Sequence, residues 1–80
     1  MKDEAKKRFN RKMEQRIELN ERRIEEIETN IEVAEKMKEL AEELDNLDGQ
    51  KFERRRIANY KKQVSDLKKE IQTYKAKMNG

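Results

Sequence analysis

The densest run of reactive side chains is Lys6-Lys7-Arg8-Phe9-Asn10-Arg11-Lys12, five cations in seven residues. Such a segment can neutralise phosphates or meet an acidic protein surface, and Lys7, Arg8, Arg11 and Lys12 are the candidate contacts. A second basic series, Arg54-Arg55-Arg56 with Lys61-Lys62 and Lys68-Lys69, runs along the C-terminal half. Phosphate binding by these stripes would be salt-sensitive and largely independent of base sequence. No base-reading motif accompanies them. Phe9 is isolated, and Tyr60 and Tyr74 fall on an apolar seam, so no aromatic platform for single-stranded bases is interleaved with the charge.

Catalytic equipment is missing. The chain has no histidine and no cysteine, which removes the commonest general base, disulfides and the usual zinc and haem ligands. There is no glycine-rich phosphate loop, no Ser-His-Asp or Cys-His set and no HExxH. Carboxylates four apart, such as Glu21 with Glu25 and Glu28 with Glu32, read as solvated helix faces. No cofactor, metal or enzymatic activity is expected.

One string resembles a family. Leu40-Ala41-Glu42-Glu43-Leu44-Asp45-Asn46-Leu47 is similar to the Ser-Gln-Glu-Leu-Asp-x-Leu signature of small helical-hairpin phosphatases acting on aspartyl-phosphate response regulators. The matching core is Glu43, Leu44, Asp45 and Leu47, about eight residues with their surroundings. The serine of the signature is Ala41 here, and the string ends the first helix where that family carries it on the second. The resemblance implies a helical hairpin. With the serine position lost, it lends no phosphatase activity to this chain.

The elements that must carry these residues are helices. Charged residues make up 49% of the 80 residues and apolar ones 32%, yet the apolar residues keep helical register and the polar ones are mostly Glu, Lys, Arg and Gln. Proline is absent. A first helix is predicted over about 3–46, a turn over 47–50 and a second helix over about 51–78, all one domain spanning 1–80. The seam positions mirror one another at a constant index sum of 98: Asn20 opposes Met78, Ile24 Tyr74, Ile27 Ile71, Ile31 Leu67, Ala34 Val64, Lys38 Tyr60 and Ala41 Ile57. That sum places the fold point at Gly49, a residue able to take the left-handed conformation that ends a helix. The expected fold is all-α, an antiparallel coiled-coil hairpin with a long first helix and a shorter second one.

Charge supports the antiparallel arrangement. Residues 1–23 carry nine basic and five acidic groups, residues 24–50 two and ten, and residues 51–80 ten and three. On one flank of the seam, Glu21, Glu28, Glu35 and Glu42 are expected opposite Lys75, Lys68, Lys61 and Arg54, all opposite in sign. Asn20 and Lys38, polar residues on the seam, are expected to set register and association state.

A second apolar stripe, Val33, Met37, Leu40, Leu44 and Leu47, lies beside the seam on the first helix. A two-helix hairpin covers one stripe, so five apolar side chains would stay in water. Residues 1–19 would also project beyond the second helix, repeating Ala5, Phe9, Met13 and Ile17 at every fourth position. Two hairpins covering each other's stripe and overhang would make an elongated four-helix bundle, with Phe9, Met13, Ile17, Val33, Met37, Leu40, Leu44 and Leu47 at the interface. The resulting expectation is a non-enzymatic protein-interaction module, an adaptor, assembly factor or small inhibitor, working as a homodimer with a further protein partner that offers an acidic surface. The alternative is sequence-nonspecific nucleic-acid binding by the basic overhang and basic second helix. No apolar stretch approaches membrane-span length, so a cytoplasmic location and no membrane partner are expected.

Overall fold

The computed structural model describes residues 2–79. Two helices, α1 (Lys2–Glu43) and α2 (Leu47–Asn79), fold back on one another as a hairpin 65 Å long and 15 by 12 Å across. Asp3 and Glu4 in the first turn of α1 and Lys77 in the last turn of α2 oppose the helix dipoles. The core is the heptad seam. Ile24, Ile27, Val64 and Ile71 form its buried centre, and Ile17, Ile31, Tyr60 and Leu67 pack against them.

The reversal lies earlier in the chain than the index sum of 98 implies. Leu44, Asp45 and Asn46 connect the helices, and Gly49 sits inside the first turn of α2. Asp45, not glycine, takes the left-handed conformation, with φ 55°. Aspartate tolerates this region better than most residues because its short side chain bonds locally. Around it the Asp45 N–H donates to the Glu42 carbonyl at 3.1 Å and the Asn46 N–H to the Ala41 carbonyl at 2.8 Å, the paired bonds of a Schellman motif. Asn46 then caps α2, its Oδ1 accepting from the Gly49 N–H at 3.0 Å. Glycine at 49 leaves room for the Asn46 amide and for Ala41. A Cβ there would lie 2.7 Å from Asn46 Nδ2 and 3.3 Å from Ala41 Cβ, so the two helices meet at their closed end over two small residues.

Moving the turn moves the register by one heptad. Contacts between the helices join residues whose numbers add to 90 or 91: Arg16 stacks on the Tyr74 ring, Asn20 Nδ2 donates to Glu70 Oε2, and Gln50 Nε2 donates to the Ala41 carbonyl. Ile27 is therefore level with Val64, not Ile71, and Ala34 with Ile57, not Val64. A seven-residue shift returns every seam position to a seam position, so the heptad pattern is compatible with either register. The turn and the burial of Met13 at the open end distinguish them.

Two consequences correct the sequence expectations. The seam gains an extra heptad at the closed end, where Gln50 and Glu53 occupy its positions, and Glu53 is buried at 6% exposure. At the open end α2 reaches further along α1, so the unpaired overhang is about residues 2–12 rather than 1–19. The expected flank pairs, Glu21 with Lys75 and its three counterparts, are not formed. In the observed register Glu14, Glu21, Glu28 and Glu35 lie level with Lys75, Lys68, Lys61 and Arg54, which keeps the signs complementary. Among the described residues, every ion pair within 4.0 Å is nevertheless internal to one helix: Glu18–Arg22, Arg23–Glu26 and Glu53–Arg56.

Candidate interaction surface

The large exposed apolar side chains gather near the closed end. Val33, Met37, Leu40 and Leu44 run along one side of α1 with 46–69% of their surface in solvent. Helical spacing of 4, 3 and 4 keeps them on one face. Leu44 follows the last residue of α1 but stays on its helical path, because its N–H donates to the Leu40 carbonyl at 3.0 Å. A shallow groove beside this stripe is lined by Met37, Leu40, Ala41, Leu44, Gly49 and Glu53, joining it to α2. Leu47, expected to complete the stripe, instead opens α2; it is exposed, but the chain has reversed and carries it off the α1 face.

Phe52 is a further exposed apolar side chain near the closed end. It is 59% exposed on α2, about one turn from Gly49 and from Arg56. The guanidinium of Arg56 lies 5.6 Å from the Phe52 ring centre and 5.8 Å from that of Tyr60, holding both rings on one cation. The same group donates to both oxygens of Glu53 at 3.3 Å and to the Tyr60 hydroxyl at 3.4 Å. The Tyr60 hydrogen bond chiefly raises the Arg56 pKa above its ordinary value, burial opposes this, and the Glu53 carboxylate adds to the rise. This cluster holds the exposed Phe52 ring against Arg56 on α2. Its signal in the sequence is the spacing of Phe52, Arg56 and Tyr60 at four residues each, which sets all three on one side of α2. Leu19, also exposed, stands alone on α1.

Of the expected overhang residues, two belong to the hairpin's own interior. Met13 is 4% exposed and level with Met78, while Ile17 is half-buried against the core. They are covered because α2 extends one heptad further along α1, and neither is free for a partner. Phe9 lies beyond that coverage and is 41% exposed. The basic side chains Lys7, Arg8, Arg11 and Lys12 surround it, all exposed. The observed register adds the end of α2 to them. Residues 2–16 hold seven basic and three acidic groups, and residues 68–79 hold four and one. The open end thus carries a net charge of +7 against +3 for the whole chain. No ion pair within 4.0 Å involves these open-end cations among the described residues.

Among the described residues no group of three carboxylate, histidine or cysteine side chains is placed to hold a metal ion. Among the described residues no helix is long and apolar enough to cross a membrane. Comparison with models of protein families, with curated proteins and with solved structures finds no match to the chain.

Proposed function

We propose that this chain is a non-enzymatic interaction module that pairs with a second copy of itself through the α1 stripe. The observation that carries the reading is the contiguous exposure of Val33, Met37, Leu40 and Leu44 on a helix whose other face is already buried. Fully burying one such side chain is worth ~1.5–3 kcal/mol, so covering the exposed half or more contributes about 1 kcal/mol each. Eight of them across a dimer contribute roughly 8 kcal/mol. Association itself costs ~4–15 kcal/mol, so at most ~4 kcal/mol of that gain remains and the dimer is weak, in the millimolar range. Light scattering over a concentration series tests this. Wild type passes from about one to two chains in mass as concentration rises, and Leu40→Asp stays at one chain while keeping its helical circular dichroism. A wild type that remains monomeric throughout refutes self-association.

A second reading rests on the open end. With its cations unpaired, that end is suited to the phosphates of nucleic acid. Neutralising about five phosphates gives a slope of log K against log salt near −4.5. Anisotropy of a labelled duplex at two salt concentrations measures it. Absence of binding at low salt, or binding unaffected by Arg8→Glu with Arg11→Glu, removes this reading.

A further inference from the structure

Resting on the self-association reading, we infer that the second copy lies antiparallel across the α1 stripe, so that the two hairpins overlap only at their closed ends. The spacing of the stripe is its own mirror image. Reversing Val33, Met37, Leu40 and Leu44 about a point between residues 38 and 39 sets Val33 against the partner's Leu44 and Met37 against the partner's Leu40. All four apolar rungs are then filled by one two-fold operation, as an isologous interface requires. A parallel arrangement would align the stripes as well, but it would also lay the two +7 open ends side by side.

The charges beside the stripe select the same operation. With Met37 and Leu44 at one core position and Val33 and Leu40 at the other, the outer flank is formed by Lys36 and Glu43. Antiparallel packing brings like flank positions together, so Lys36 of each copy meets the partner's Glu43, giving two pairs of opposite sign. Both side chains are exposed, and neither belongs to an ion pair in the hairpin among the described residues. The inner flank is Ala34 and Ala41, both buried beneath α2 and small enough for α1 to serve two seams. Phe52 stands level with the midpoint of the stripe.

This geometry is longer than the elongated four-helix bundle expected from the sequence, in which each hairpin would cover the other's overhang. Residue 2 lies about 36 residues from the axis, or ~55 Å at 1.5 Å per residue, so the dimer spans ~110 Å against 65 Å for one hairpin. The basic ends sit at its two extremities and the overhangs stay uncovered.

Charge reversal tests the pairing. Lys36→Glu alone and Glu43→Lys alone each turn two attractive pairs into two repulsive ones, weakening self-association by about tenfold to a hundredfold. Mixed in equal amounts, the two variants restore wild-type association, because each copy of one then faces opposite charges on the other. Small-angle scattering of the wild-type dimer gives a maximum dimension near 110 Å. A wild-type dimer of ~65–70 Å, or single variants that dimerise as well as wild type, overturns the antiparallel closed-end arrangement and leaves self-association standing. A wild-type chain that stays monomeric at all concentrations overturns both.

Discussion

Replacing Glu53 by leucine should make this protein more stable. Glu53 occupies a seam position of α2 with 6% of its surface exposed, level with Lys38 on α1 and flanked by Gly49 and Ala41, so room exists for a branched apolar side chain. Leucine there buries a side chain worth ~1.5–3 kcal/mol. The substitution loses the ion pair with Arg56, but that guanidinium is 37% exposed and retains Tyr60 and both rings. An ion pair with one solvated partner contributes about 0.2–1 kcal/mol. The net gain is roughly 1–2 kcal/mol, because removing a buried charge and its partial desolvation seldom costs more than filling the space returns. For a domain of this size that raises Tm by roughly 5–15 °C. Circular dichroism melts at low micromolar concentration, where association contributes least, measure the shift. Glu53→Gln, which keeps the shape and loses the charge, should fall slightly below wild type. In the register with Gly49 at the fold point, Glu53 would stand level with Asp45, outside the seam, and leucine there would change Tm little. An unchanged or lower Tm for Glu53→Leu therefore refutes the observed register.

Met13→Ala should cost about 2 kcal/mol, the low end for a buried methionine, because the site lies near the open end; a change below ~0.5 kcal/mol in urea unfolding would return Met13 to an uncovered overhang. Asp45→Val forces a β-branched residue to φ 55° and should cost at least ~1–2 kcal/mol, whereas Asp45→Gly should be neutral or stabilising. Asn46→Ala removes the cap on the Gly49 N–H and should cost ~0.5–2 kcal/mol, read by the same unfolding curves. If Asp45→Val and Asp45→Gly unfold alike, the left-handed turn residue is not at 45.

The sequence carries the fold class plainly and the register ambiguously. Ile24, Ile27, Ile31, Val64, Leu67 and Ile71 specify two helices and their shared face, and those residues are the core. The pattern repeats every seven residues, so it says which side of each helix is inward and nothing about which heptad meets which. The flank charges repeat at the same interval: Glu28 finds a cation whether it faces Lys68 or Lys61. Gly49 looked like the turn because glycine is the usual left-handed residue, but here it answers a steric demand from Asn46 and Ala41. Glu53 and Gln50 went unread because polar residues on a seam leave no apolar signal. The α1 stripe, by contrast, was legible because its exposure follows from helix periodicity alone, without reference to register.

That difference explains why the chain spends so much of its specificity in three residues. A hairpin held only by heptads and alternating charge blocks has a competing register seven residues away with the same apolar faces and nearly the same charge pairs. Burial of Met13 and Ile17 favours the observed register, and local backbone terms add to that preference. Asp45 and Asn46 supply a left-handed helix stop and a helix cap on consecutive residues, each worth of the order of 1 kcal/mol, and both fall on the same side of the choice. Gly49 adds the close approach that only the observed fold point requires. Sliding the turn by half a heptad would discard all three and uncover Met13 and Ile17, while gaining no apolar contact at the closed end. The same short segment ends the exposed stripe at Leu44, since beyond it the chain reverses and Leu47 leaves the face. The turn thus sets the hairpin register and also the length of the surface offered to a second copy. Mutations at 45 and 46 should for that reason shift association together with stability, a coupling that substitutions in the middle of the seam would not produce.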